Sequence, residues 1–280
     1  MKNIIVIGSG VMGSGIAAQI ANSGAKVYLL DIIPNGAEDR NILANQAINK
    51  LTSSLGGNAS LIIPGNLEDG LNIIKEADWI IEVIIEKLEF KQQLYKKLEQ
   101  YCKKDIIISS NTSTIPLKSL INGMSEHFKQ RFLITHFFNP PRYMQLLELV
   151  TSEFTDKEVT KKISQALDIQ LGKTVIISND TPGFIANRIG CYWLETALTS
   201  AIEMKIKVEE VDSLMGKPLG IPSTAIFGLY DLIGIDVMRL ISNSLGNSLN
   251  QSDDFLKMSN KKSLLEMFAH SIYKAFERNG

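Results

Sequence analysis

The sequence predicts an α/β protein, a doubly wound, buried parallel sheet over residues 1–180, followed by an all-helical domain over residues 181–280. Three observations predict it. Short, β-branched apolar runs alternate with helix-length amphipathic segments, the pattern of βαβ units. A glycine-rich turn follows the first run. The runs stop at Ser178-Asn179-Asp180-Thr181-Pro182-Gly183, a cluster of turn formers, beyond which only helical periodicity continues.

The predicted strands are Ile4–Ile7, Val27–Leu30, Leu61–Ile63, Trp79–Ile85, Ile106–Ile108, Phe132–Thr135, Leu146–Val150 and Thr174–Ile177. They are apolar on both faces, so helices must cover both sides of the sheet. Phe184–Met204, Val208–Met215, Pro222–Leu232 and Ile235–Leu245 read as helices. Ser242–Asp254 is polar and is expected to form a mobile loop. Leu264, Leu265, Phe268, Ile272 and Phe276 then repeat at helical spacing. No internal repeat is visible, and a length of 280 residues at about 150 per domain fits two domains.

Composition narrows the function. There are 29 Lys and Arg against 30 Asp and Glu, a net charge of −1. Such a balance argues against binding a nucleic-acid backbone, though not against a small anion held by backbone amides. Cys102 and Cys191 are the only cysteines, which excludes a disulfide framework and fits a reducing compartment. His127, His136 and His270 are too scattered for a metal motif. The N-terminal apolar run, Ile4–Ile7, is too short for a signal peptide, and no apolar stretch approaches the roughly 18 residues of a membrane span. The expected location is the cytoplasm, with no membrane contact.

Function is sought where the strands end, because ligands of open α/β sheets bind beyond the carboxyl ends of the strands. The first strand runs into Gly8-Ser9-Gly10-Val11-Met12-Gly13, a G-x-G-x-x-G turn opening a helix at Gly15–Ala21. Gly8 permits the tight turn, Gly10 lets a pyrophosphate approach, and Gly13 lets the helix pack on the strand. Asp31 lies 23 residues after Gly8, where an acid binds the ribose 2′-hydroxyl. An acid there with no arginine beside it favours NAD over NADP, and Arg40 is too far along to hold a 2′-phosphate. The first domain is therefore read as Rossmann-type. Glu86 follows the fourth strand, Ser109-Ser110-Asn111-Thr112-Ser113 the fifth, and His136-Phe137-Phe138-Asn139-Pro140 the sixth. Hydride transfer needs a base, and His136 is the only histidine at a strand end. Glu148, an acid among apolar residues of the next strand, needs a partner. Pairing with His136 supplies one. A surface lysine for Glu148, and a turn role for His136, are the alternatives.

Several motifs in order make the chain resemble the 3-hydroxyacyl-CoA dehydrogenase family: GSGVMGSGIA (8–17), ADWIIEVIIEKLEFKQQL (77–94), SSNTST (109–114), THFFNP (135–140), LLELV (146–150) and DTPGFIANRI (180–189). The resemblance covers residues 1 to about 240. It is especially like the dehydrogenase portion of longer proteins that carry an enoyl-CoA hydratase domain, and the chain is expected to stop short of that domain. The resemblance implies NAD-dependent oxidation of (S)-3-hydroxyacyl-CoA to 3-ketoacyl-CoA, or its reverse, in fatty-acid or butanoate metabolism. His136 would be the base, Glu148 its orienting partner, Ser113 a neighbour of substrate and nicotinamide, and Asn187 a substrate hydrogen-bond partner. Gly8, Gly10, Val11, Met12, Gly13, Asp31, Glu86, Lys91, Ser113 and Asn139 would meet the cofactor. Lys91 also reads as an exposed helix lysine, Glu82 as a structural partner in its strand, and Trp193 as core. A homodimer and an acyl-CoA substrate are further implications.

The chain departs from the family in two places. The family's final glycine- and lysine-rich motif is absent, with Lys261 and Lys262 as substitutes, and residues 32–60 carry only Arg40 and Lys50 as cations where the family meets CoA. Two other readings stay open: a truncated or degenerate NAD-binding relative acting only with a partner such as a hydratase, and a dehydrogenase of a free hydroxy acid.

Overall fold

The computed structural model describes residues 1–259. The chain divides into two compact units, Met1–Phe184 and Ile185–Gly280. The first is built on one eight-stranded sheet: β1 (Ile4–Ile7), β2 (Val27–Asp31), β3 (Ile62–Asn66), β4 (Trp79–Glu82), β5 (Ile107–Ser110), β6 (Phe132–Phe137), β7 (Leu146–Val150) and β8 (Thr174–Ser178), in the order β3-β2-β1-β4-β5-β6-β7-β8. Its helices are α1 (Val11–Asn22), α2 (Ile42–Leu55), α3 (Leu71–Glu76), α4 (Leu88–Tyr101), α5 (Leu117–Leu120), α6 (Glu126–Gln130) and α7 (Lys157–Gln165). The strand order reverses beside β1, the switch point at which doubly wound sheets bind ligands.

Two apolar layers sandwich the sheet. Val6, Leu29, Trp79 and Leu133 face one layer with Ile16 and Ala17 of α1. Ile5, Leu30, Ile80 and Ile134 face the other with Leu94, Tyr95 and Leu98 of α4. Successive strand residues point to opposite faces, so runs apolar at every position are what this burial requires.

Four sequence expectations are corrected here. The sheet is mixed, because β7 runs antiparallel to β6. The fourth strand ends at Glu82, three residues short of the predicted Ile85, and the sixth extends through Phe137, so His136 lies within the strand. The dinucleotide-type helix begins at Val11 rather than Gly15.

The second unit is helical among the described residues: α8 (Ala186–Glu203), α9 (Val208–Leu214), α10 (Phe227–Ile233), α11 (Ile235–Ser248) and α12 (Asp254–Ser259). Leu194, Leu198, Val211, Phe227, Met238 and Leu245 form its core. Trp193 packs at the margin of this core, partly buried. The stretch Pro222–Ile226 is not helical. Asp212 accepts from the N–H groups of Ile226, Phe227 and Gly228 and so starts α10 late. The expected loop from Ser242 is instead helix to Ser248, because Met238, Ser242 and Leu245 share its buried face. Lys261, Lys262 and the periodic residues from Leu264 onward lie outside the described residues.

Candidate active site

The turn after β1 is a cradle with one open side. Gly8 has φ +107°, and a Cβ there would sit 2.5 Å from the Val83 carbonyl oxygen. A Cβ on Gly13 would sit 1.8 Å from the Gly8 carbonyl oxygen. Both positions are closed to any side chain. Gly10 is the opposite, since its Cβ would meet nothing within 4 Å. That bare, exposed backbone, at the start of α1, is the shape a pyrophosphate needs. The residues present therefore fit a dinucleotide. Val11 is exposed beside it, and Met12 is partly buried.

Asp31 ends β2, next to this turn. Its Oδ2 accepts from the Ser9 N–H at 2.6 Å and from the Ser9 hydroxyl at 2.5 Å, and its Oδ1 from the Ile32 N–H at 2.7 Å. Asn139 is exposed in the loop after β6.

Between β4 and β5 lies a charged network. Lys91 is 1 % exposed, against the reading of it as a surface lysine. It donates to Glu82 at 2.6 Å and pairs with Glu86 at 3.2 Å. Glu82 also accepts from the Tyr95 hydroxyl at 2.5 Å, the Ser110 hydroxyl at 2.6 Å and the Ile84 N–H at 2.8 Å. Glu86 accepts from the Thr112 hydroxyl, the Thr114 hydroxyl at 3.0 Å and the Ser113 N–H at 3.2 Å. Burial pushes the Glu86 carboxyl up, but the Lys91 ammonium and these hydroxyls outweigh it and hold the group below its usual range. Ser113 is thus fixed through its backbone by an anion that is itself fixed by a buried cation.

The loop after β5 also ties to β6. Asn111 Oδ1 accepts from the Phe137 N–H at 2.9 Å. The antiparallel register then sets His136 directly opposite Glu148. His136 Nδ1 lies 2.7 Å from Glu148 Oε2, with the two residues 6 % and 1 % exposed. A carboxylate only accepts, so Nδ1 donates the proton in this bond. The rings of Phe138 and Phe184 flank the imidazole at 4.5 and 5.6 Å.

Asn187 occupies the second residue of α8, in the other unit. Arg40 is committed to Asp69 and Glu68. Sequence reasoning passed over Ser9, Asn111 and Lys173. Buried Lys173 donates to the Pro141 and Met144 carbonyls at 2.5 and 2.8 Å, holding the loop beyond His136. Lys91 did carry a signal, since Lys91, Leu94, Tyr95 and Leu98 fall on one helix face.

Comparison with known proteins shows the family. Residues 3–181 match the family model described as 3-hydroxyacyl-CoA dehydrogenase, NAD binding domain, and residues 183–273 that family's C-terminal domain. A putative fatty acid oxidation complex trifunctional enzyme of Rickettsia prowazekii is 48 % identical, over 97 % of this chain and 39 % of its own length. The chain thus spans about two-fifths of that relative. A probable 3-hydroxyacyl-CoA dehydrogenase of Deinococcus radiodurans is 42 % identical over 95 % of this chain and 78 % of its own. Among solved structures, an (S)-3-hydroxybutyryl-CoA dehydrogenase from Ralstonia eutropha superposes with a TM-score of 0.77 at 28 % identity, covering 97 % of this chain and 95 % of its own.

Proposed function

The chain belongs to the 3-hydroxyacyl-CoA dehydrogenase family, and from that premise we propose that it interconverts (S)-3-hydroxyacyl-CoA and 3-ketoacyl-CoA with NAD, as a step of fatty-acid or butanoate metabolism. The observation that carries this reading is the buried His136–Glu148 pair, 2.7 Å apart on the sheet edge that also holds the glycine turn.

When bound, NAD supplies the hydride acceptor. The protein's own residues do the rest. Nε2 of His136 takes the proton of the 3-hydroxyl, and Glu148 holds the ring in the tautomer that leaves Nε2 free and offsets the charge the ring gains. In the reverse direction His136 returns that proton to the forming hydroxyl. Glu86 and Lys91 hold the Ser113 loop, which would meet the cofactor, and Ser113 would stand beside substrate and nicotinamide. Asn139 contacts the cofactor. Asn187 hydrogen-bonds the substrate. Gly8, Gly10 and Gly13 shape the pyrophosphate cradle, and Asp31 receives the ribose.

The test is loss of NADH absorbance with acetoacetyl-CoA. His136→Gln is expected to lower turnover about 10²–10⁴-fold, the contribution of a positioned base, with NADH binding retained. A His136→Gln protein of full activity overturns the mechanism. A second reading, in which the chain works beside an enoyl-CoA hydratase, is supported by the trifunctional relative of which it spans 39 %. Turnover that appears only when a hydratase protein is added favours it.

A further inference from the structure

The carboxylate of Asp31 is already engaged before any nucleotide arrives. A carboxylate offers about four acceptor positions. Three of those on Asp31 are taken, by the Ser9 N–H, the Ser9 hydroxyl and the Ile32 N–H. The remaining place lies on Oδ1, which has one donor where Oδ2 has two. It takes a donor, so one ribose hydroxyl fits there. A 2′-phosphate is doubly negative and has no proton to give near neutral pH.

A site of this kind accepts the phosphate only if the acid swings away or a cation comes in. Both routes are blocked. Ser9 grips Oδ2 with backbone and side chain together. Arg40, the first basic residue beyond Asp31 and too far along the chain to adjoin it in sequence, is carried to the turn after the neighbouring strand, where it forks onto Asp69 through Nε and Nη2, each 3.0 Å, and reaches Glu68 at 3.1 Å. That acidic turn follows directly on the strand beside Asp31. Asp31 pairs with Asn66 in register, the Leu67 N–H donates to the Asp31 carbonyl at 3.0 Å, and the Asn66 amide donates to Asp69 at 2.8 Å.

We propose that Ser9 is a specificity-determining residue: its hydroxyl locks the Asp31 carboxylate in place while Glu68 and Asp69 withhold Arg40, and the two together reject NADP. This rests on the reading of the glycine turn and Asp31 as the NAD site. Asp31 repels the phosphate by charge, but charge alone leaves the side chain free to rotate. The lock removes that freedom.

Titration of NADH and NADPH fluorescence against the purified protein, with no acyl substrate, tests it. The unaltered protein is expected to bind NADH and to prefer it strongly over NADPH. Ser9→Ala is expected to narrow the NADPH-to-NADH Kd ratio roughly tenfold, the size of one charge-assisted hydrogen bond, mainly through tighter NADPH. Glu68→Gln added to Ser9→Ala is expected to narrow it further. A Ser9→Ala protein that binds NADH with the original ratio overturns the proposal and leaves the NAD reading standing. An unaltered protein that binds neither nucleotide overturns both.

Discussion

Two buried acids, one in each unit, are treated in opposite ways. Glu82 has a cation, two hydroxyls and a backbone N–H directed at it. Glu195, 3 % exposed on α8, receives the Ser242 hydroxyl at 2.9 Å. Beside it Tyr230 buries a hydroxyl with no partner among the described residues. Burial pushes the Glu195 carboxyl above its usual range, and the Ser242 hydroxyl offsets only part of this. Burial and the neighbouring Glu195 likewise push the Cys191 thiol up to about 11. A buried charge is costly unless paired and hydrogen-bonded. In the first unit the carboxylate of Glu82 meets a donor on every side, and with Lys91 and Glu86 it ties down the segment bearing Ser113. In the second unit burial outweighs the one hydroxyl and holds the carboxyl above its usual range.

Removing one partner of the satisfied network tests that contrast most severely. Lys91→Met leaves Glu82 and Glu86 without their cation. A loss of about 3–5 kcal/mol in the unfolding free energy of the first unit is expected, the cost of stranding a buried charge. Denaturant unfolding followed by Trp79 fluorescence, in a Trp193→Phe background, reads it. A loss below about 1 kcal/mol, the level of a surface ion pair, breaks the comparison.

Glu148→Gln is milder for stability and aimed at function. The amide still accepts from Nδ1 but brings no charge to offset the imidazolium. Turnover is expected to fall about 10²-fold and the pH–rate profile to change with it. An unchanged profile removes Glu148 from its orienting role.

The smallest effect belongs to Glu195→Gln. In the unfolded chain Glu195 ionises at its usual pH, and in the folded unit it ionises at a higher one. Folding stability therefore falls as pH rises from the usual carboxylate range to the raised folded value, and stays lowered above it. The glutamine variant still accepts from Ser242 and escapes that loss. It should be more stable than the original at pH 8, on the order of 1 kcal/mol, and no more stable at pH 4. Thermal melts at the two pH values decide it, and a pH-independent difference would place the comparison in doubt.

The fold was legible because a buried parallel sheet leaves unbroken apolar runs, and Gly8 to Gly13 write the turn directly into the sequence. His136 was legible as a titratable group among strand ends. Its pairing with Glu148 depended on strand direction, which Leu146–Val150 does not announce, since an apolar run reads alike both ways. Ser9 was hidden for another reason. Its contact with Asp31 exists only because β1 and β2 lie side by side, with the Gly8 N–H on the Leu30 carbonyl at 2.7 Å. Ser242 was misread by residue type, and the surface alternative for Lys91 fails for the same reason, since both sit on apolar helix faces. Polarity suggested surface where position dictated core.

The one reversal of strand direction, at β7, has a kinetic consequence. His136 and Glu148 are 12 residues apart in the chain, joined by a hairpin. The Trp79 and Ser109 side chains that meet in the same sheet are separated by 30, and the parallel ladder around them needs whole crossover helices before it can close. Loop-closure entropy rises with separation, and hairpins form in about microseconds. The His136–Glu148 contact therefore demands less chain ordering than the parallel ladder beside it. A late-forming nucleotide cradle would meet a pair already in register.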